Sequence, residues 1–365
     1  MPSVMPEMLE IAGGSCHAYF IYDVADSIDL ARLASVAGEG VSRAPLRLRR
    51  EASSVSIEFE TQPIVARLAP SDGFSIRLKI FDYGVVSVRV STEYAGAWAT
   101  FLEFARRFRM DETIPSIAAA ALARVLPEIE HALDEPHAAL LEDFFVFEVN
   151  AFAGDVGGEA LLADRAPDLA RLMLCEERAI TSSETLEALR VAFAYFDTDL
   201  AIVGWDTAFV YDDRESATAT IDILEFANTQ LVELRTYDKR LDAELDTIYA
   251  LEPKRPTSRF GRRQAQDAAD RLRYLIVDIA ELTDRSSNAL KITGDAYYAR
   301  LYRGAAGRLG LKDWQKQIDS KLDTVDEMYR FFTDQAQVAR SEFLEFVIIA
   351  LIALELAVGI FSLRH

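Results

Sequence analysis

The chain is poor in the residues that build covalent or metal frameworks. It has two cysteines, Cys16 and Cys175, in 365 residues. Two unclustered thiols make neither a disulfide scaffold nor a cysteine metal site, which fits a reducing compartment. Its four histidines, His17, His131, His137 and His365, never fall four apart as a helical metal pair requires. Gly-Gly occurs at 13–14 and 157–158, without the Lys and Ser/Thr that complete a phosphate loop. The opening MPSVMPEMLE is neither a basic-then-apolar leader nor an Arg-rich amphipathic stretch, so no targeting peptide is expected. Basic charge is scarce: 39 Lys and Arg face 59 Asp and Glu, a net of −20. Residues 1–213 hold 17 basic against 35 acidic residues. Such a surface repels nucleic acid and anionic lipid, so direct nucleic-acid binding is not expected there.

Catalytic spacing is lacking too. Cys16 and His17 are adjacent, so on a strand they face opposite sides and cannot act as a thiolate pair. Asp197, Asp199, Asp206, Asp212 and Asp213 gather around hairpin turns, where aspartate is ordinary. No Ser-His-Asp or paired-carboxylate arrangement can be assembled from spacing. No catalytic residue, cofactor or metal ligand is assigned, and the chain is not expected to be an enzyme.

What is present is an α+β pattern. Period-two alternation with β-branched and aromatic residues predicts strands at 16–24, 53–59, 74–81, 85–91, 144–150 and within 190–212. Helices are expected at 27–37, 95–109, 114–133 and 166–178. Asp-Leu-Ala-Arg-Leu occurs at 29–33 and 168–172, Phe-Asp at 81–82 and 196–197, and Leu-Glu-Phe-Ala at 102–105 and 224–227. The shared order raises a duplicated strand–helix–hairpin–helix unit, at about 15–135 and 143–228, against chance matching of common residues.

After Asp213 the pattern becomes helical, over 214–252, 262–307 and 312–362. Apolar residues at 3-4 spacing, such as Ile318, Leu322, Val325, Tyr329, Phe332, Phe343 and Phe346, read as a coiled-coil seam. This predicts a long antiparallel three-helix arm over 214–342. Residues 343–361, FLEFVIIALIALELAVGIF, are long enough at ~1.5 Å per residue to cross a bilayer core of about 30 Å. A single-pass C-terminal transmembrane anchor in the cell inner membrane is therefore expected, with the bulk of the protein cytoplasmic. Glu345 lies near the entry. Glu355 lies deep enough to need a proton or a neighbouring copy. With Phe343, Phe346, Phe332 and Tyr329, these form the expected membrane and oligomer interface. The turn PKRPTSRFGRR carries Lys254, Arg255, Arg259, Arg262 and Arg263, expected to meet headgroups or another polyanion.

The stretches VGWDTAFVYD (203–212), LEFANTQLVELRTYDKRLDAELDTIY (224–249), 289–325 and SEFLEFVIIALIALELAV (341–358) resemble the YagE, or required-for-meiotic-nuclear-division, family from about residue 144 onward. The resemblance implies an oligomeric, membrane-associated scaffold or tether linked to the translation machinery, with the bilayer, further copies of the chain and a ribosome-associated protein as partners. The alternative is a ligand-binding or enzymatic α/β domain on the same anchor.

Overall fold

The computed structural model describes residues 9–36, 49–50, 63–250 and 296–325, with isolated helical positions at 277, 279–280, 327, 330, 348–349 and 351–352. In chain order the elements are β1 (Glu10–Ile28), α1 (Leu30–Val36), β2 (Arg49–Arg50), β3 (Ile64–Ser71), β4 (Phe74–Ile80), β5 (Val85–Ala97), α2 (Trp98–Arg109), α3 (Thr113–Ile129), β6 (Leu133–Phe152), α4 (Gly158–Asp164), α5 (Ala166–Leu174), α6 (Ser182–Ala188), β7 (Ala192–Phe193), β8 (Leu200–Val203), β9 (Thr207–Tyr211), α7 (Arg214–Ala250) and α8 (Ala296–Arg308).

The strands form one nine-stranded mixed sheet in the order β2-β3-β4-β5-β1-β6-β9-β8-β7. Only β6 and β9 run parallel; the other neighbours are antiparallel. The two longest strands, β1 and β6, lie side by side at the centre. The β4–β5 turn depends on Gly84, whose φ is +85° and where a Cβ would stand 1.7 Å from the Ala25 carbonyl oxygen. That close approach lets Val24 N–H donate to the Gly84 carbonyl at 3.0 Å, which ties the turn to β1.

Strand alternation gives the sheet two unlike faces. One carries Cys16, Ala18 and Phe20 from β1, Val86, Val88 and Val90 from β5, and Phe145 and Phe147 from β6, all in the main apolar core. Trp98, Phe101, Ala105 and Phe108 of α2 and Ile114, Ala118, Leu122 and Val125 of α3 close this core. Their 3-4 spacing places one apolar stripe of each helix inward. The opposite face carries His17, Tyr19, Ser87, Ser91 and Glu148, all buried, with Lys79 and Arg89 partly so. Here α7 contributes Asp222 and Glu225, which hold the Lys79 ammonium at 2.7 and 2.6 Å.

Contacts divide the chain into two units. One is Met1–Thr236 with Asp284–Lys312; the other is Tyr237–Thr283 with Asp313–His365. In the second, Lys321 reaches Asp238 at 2.7 Å and Asp242 at 2.6 Å, and Gln317 donates to Asp238 at 3.1 Å.

The architecture expected from sequence is corrected here. The core is one mixed sheet with helices, and the two stretches read as repeats pair differently within it. β1 runs antiparallel to β5, whereas the corresponding pair of a second copy, β6 and β9, is parallel. The repeated words also do different work. Asp29 caps α1 by accepting from Ala31 and Arg32 N–H, while Asp168 lies within α5 and accepts from the Trp98 indole. Phe81 is buried but Phe196 is exposed. From Ala217 to Thr236, α7 buries Thr220, Glu225, Asn228, Thr229, Gln230 and Glu233 beside its apolar residues. A helix buried on several faces is not a one-seam coiled-coil strand. Among the described residues no helix is long and apolar enough to cross a membrane. The expected transmembrane anchor, and the inner-membrane placement built on it, are therefore withdrawn. Of 343–361 only 348–349 and 351–352 are described.

Candidate functional site

The residues singled out from sequence as interface or headgroup contacts lie outside the described residues. They are Tyr329, Phe332, Phe343, Glu345, Phe346 and Glu355, and Lys254, Arg255, Arg259, Arg262 and Arg263. The turn aspartates are described, and each has a structural partner. Asp213 caps α7 by accepting from Glu215 and Ser216 N–H. Asp206 pairs with Arg109. The Asp197 carbonyl accepts from Gly158 N–H. Asp199 is buried, accepts from Tyr195 and Phe196 N–H, and takes the Tyr297 hydroxyl at 3.3 Å. Asp212 follows β9, whose Tyr211 pairs with Leu200. Burial first, then the Asp199 and Asp213 charges, push its carboxyl up to about 7. Among the described residues no group of side chains is arranged to hold a metal ion.

A network invisible to spacing lies on the polar face of the sheet. His17 Nε2 stands 2.7 Å from Glu148 Oε2, and His17 Nδ1 stands 2.8 Å from Ser91 Oγ. Asn150 donates to the other Glu148 oxygen at 2.7 Å. Burial dominates at His17 and lowers its pKa, against the opposing pull of Glu148. At Glu148 burial would raise the pKa, but the bonds from His17 and Asn150 and the Arg89 charge together lower it. The imidazole is therefore neutral and the glutamate ionised. Nε2–H donates to Glu148 and Nδ1 accepts the Ser91 hydroxyl. The connectivity is hydroxyl–imidazole–carboxylate, as in an activated nucleophile. Ser91, His17 and Glu148 are each at most 7% exposed. Buried to that degree and bonded across β5, β1 and β6, the network is read as structural.

An open concavity lies on the other face, between α2 and α5. It encloses about 610 Å³ and is walled by Leu9, Trp98, Leu102 and Leu172. Glu103, Arg106, Arg165, Asp168, Arg171, Cys175, Glu176 and Glu177 supply its polar groups. Arg106 pairs with the Glu177 carboxylate. Arg171 donates from Nη2 to the Glu177 carbonyl at 2.7 Å and from Nε to the Glu176 carbonyl at 3.3 Å. Asp168 takes the Trp98 indole N–H at 3.1 Å. Cys175 ends α5 in the left-handed region, at φ +56° and ψ +36°. That conformation usually falls to Gly or Asn. Keeping a side chain there carries a strain on the order of 1 kcal/mol, the kind of outlier that gathers at functional sites. Burial raises the Cys175 thiol pKa, so its role is to line the cleft.

With this geometry in view, comparison with known proteins gives a consistent result. Residues 13–218 match the family model described as "Uncharacterized protein MJ0711, N-terminal domain". The chain belongs to this family. Uncharacterized protein MJ0711 of Methanocaldococcus jannaschii is 22% identical over 202 residues, covering 55% of this chain and 62% of that protein. The match thus spans less than two thirds of the relative's length. No solved structure matches the chain. The MJ0711 N-terminal match runs from within β1 to the start of α7, and so contains the Ser91–His17–Glu148 network and all of the cleft lining but Leu9. It overturns the resemblance to the YagE family, which drew on the hairpin and the long helices after residue 144. Those share a layout with many chains, because hairpins followed by amphipathic helices need only a common apolar period.

Proposed function

We propose that this MJ0711-type domain is a small-molecule-binding module whose site is the α2–α5 cleft, and that its ligand carries an anionic group. The observation carrying this reading is the Arg106–Glu177 pair lining an open cleft. Glu177 is 67% exposed while Arg106 is half as open. An exposed carboxylate that neutralises a fixed guanidinium is a stand-in for what a ligand anion would do. It gains little stability from the pairing, roughly 0–1 kcal/mol, and is easily displaced. A volume of about 610 Å³ falls in the range of small-ligand sites, which are apolar-walled with few fixed polar groups. Trp98, Leu102 and Leu172 give the apolar wall; Arg106, once released from Glu177, gives orientation by its planar donor fork, while Arg171 holds the Glu176–Glu177 backbone in place. This reading replaces the membrane scaffold, which the described helices do not support.

The test is calorimetric titration of the whole chain with benzoate, succinate and inorganic phosphate. Saturable binding by at least one of them is expected, weakened about tenfold or more by Arg106→Ala and strengthened by Glu177→Gln. Absence of saturable binding across the panel, or equal affinity in Arg106→Ala, would overturn it.

A further inference from the structure

Two helices wall the α2–α5 cleft, and their lining residues recur at helical spacing. Trp98, Leu102 and Arg106 lie four apart on α2, so they stack along one face of that helix. Asp168 and Leu172 lie four apart on α5, and Glu177 follows after its end. Contacts across the cleft set the order. At one end the Trp98 indole N–H donates to Asp168 Oδ2 at 3.1 Å. At the other end Arg106 pairs with Glu177. Leu102 and Leu172 fall between these two pairs on their helices. From end to end the cleft therefore presents a carboxylate, an apolar wall and a guanidinium.

The carboxylate end has room for a donor. Asp168 Oδ2 takes the indole, and among the described residues Oδ1 accepts no hydrogen bond. The indole holds the carboxyl in place without removing its charge. Arg165, at the start of α5, keeps an interaction within the chain; its charge reduces the pull on a cation there but supplies no acceptor. Glu103 is bound to Arg107, and Arg171 is spent on the Glu176 and Glu177 carbonyls. Taken together the lining holds three guanidiniums and four carboxylates. A ligand of purely negative charge adds to that excess of carboxylate, whereas a ligand of both signs does not.

We infer, resting on the cleft being the anion site proposed above, that its ligand is an ω-amino carboxylic acid, with the carboxylate on Arg106 and the ammonium on Asp168. Helix geometry sets the length. Eight residues from Trp98 to Arg106 at ~1.5 Å each place the two ends about 12 Å apart along α2. A contact of about 3 Å at each end leaves roughly 6 Å, the reach of about four methylene groups. Leu102 and Leu172 supply the apolar surface that those methylenes need. The ligand carboxylate displaces Glu177 from Arg106 and takes its place in the guanidinium fork. An α-amino acid, with its two charges on adjacent carbons, reaches one end only.

The experiment is calorimetric titration of the whole chain with pentanoate, 5-aminopentanoate and glycine. 5-Aminopentanoate should bind about tenfold or more tighter than pentanoate, which has the same chain and carboxylate but no ammonium. Glycine should bind more weakly than 5-aminopentanoate. Asp168→Asn keeps an acceptor for the Trp98 indole and removes the charge. It should erase most of the preference for the amino compound and leave pentanoate within about twofold of the parent. Arg106→Ala should weaken both five-carbon ligands. Pentanoate binding at least as tightly as 5-aminopentanoate would overturn the ω-amino assignment and leave the anion site standing. A preference unaltered in Asp168→Asn, or glycine binding as tightly as 5-aminopentanoate, would overturn it in the same way. No saturable binding of either five-carbon ligand would count against the anion site and its ω-amino ligand together.

Discussion

Replacing Lys79 by methionine probes how strongly the buried charge beneath α7 is coupled. The ammonium is 11% exposed and holds Asp222 and Glu225, which are 17% and 4% exposed. Burial alone would lower the Lys79 pKa, but Glu225 and Asp222 raise it well above the ordinary lysine value, so the cation is firmly present. Methionine keeps much of the stem's packing while removing the charge. Two carboxylates are then left in a poorly solvated place with Arg89 as the remaining nearby cation. Removing one member of a buried ion pair costs about 3–5 kcal/mol, because the orphaned charge keeps its desolvation penalty. Urea unfolding followed by the fluorescence of buried Trp98 should show the midpoint fall by roughly 1 M or more, for a slope of about 1–3 kcal/mol/M. The triple variant Lys79→Met, Asp222→Asn, Glu225→Gln should recover part of the loss, since the two carboxylates no longer lack their ammonium, while Arg89 keeps Glu148 as its nearby anion. A loss below about 1 kcal/mol, or a triple variant no better than the single one, would refute the reasoning.

Three further outcomes follow from the same face and its turns. Because the His17 pKa is lowered in the folded protein, the unfolded chain binds the extra proton below its ordinary value of about 6.5. This contribution to stability is present above that pH and is lost as pH falls; in acid unfolding curves His17→Gln should flatten the loss. Asp212 has the opposite sign. Its folded carboxyl holds a proton up to about 7 while its unfolded reference is 3.8. The contribution is full below pH 3.8 and declines as pH rises to about 7. As Asp212 is only partly buried, screening reduces the effect to the order of 1 kcal/mol. Thermal melts of Asp212→Asn from pH 4 to 8 should lack that decline. Gly84→Ala must move the Ala25 carbonyl and hold a positive φ with a side chain, costing about 1–3 kcal/mol or more; a melting temperature within a degree of the parent would contradict it.

Local signals placed many elements well and could not place their partners. The alternation of Phe74–Ile80 and Val85–Ala97 is plain, as is the apolar stripe of α2. The centre of the sheet was harder to see. β1 extends through Gly13 and Gly14, and β6 runs through Pro136, where glycine and proline ordinarily mark strand ends. The alternation of Cys16 with His17 told which face each takes, and nothing more. Ser91 and Glu148 lie 74 and 131 residues from His17, so no spacing rule joins them; pairing of β1 with both β5 and β6 does. The helical signal after Asp213 was legible, but its burial was not. Thr220, Asn228, Thr229 and Gln230 are polar, yet they are buried. A polar helix face that packs on a polar sheet face has no apolar period to announce it.

That polar packing gives the charge distribution its meaning. Residues 1–213 have only 17 Lys and Arg. Three of them, Arg106, Arg165 and Arg171, line the α2–α5 cleft, and four, Arg67, Arg77, Lys79 and Arg89, lie on the polar face of the sheet. Basic side chains are thus set among acids in a domain whose net charge is strongly negative. At physiological ionic strength the screening length is about 8 Å. A small anion seated in the cleft responds mainly to the guanidiniums within that range. A long polyanion extends past that range and meets the acidic remainder of the surface. The same arrangement that admits a small anion should therefore exclude nucleic acid. The discriminating measurement is competition: a small carboxylate or phosphate bound in the cleft should not be displaced by single-stranded DNA of equal phosphate concentration. Displacement would mean that the arginines of the cleft govern association over the acidic surface around them.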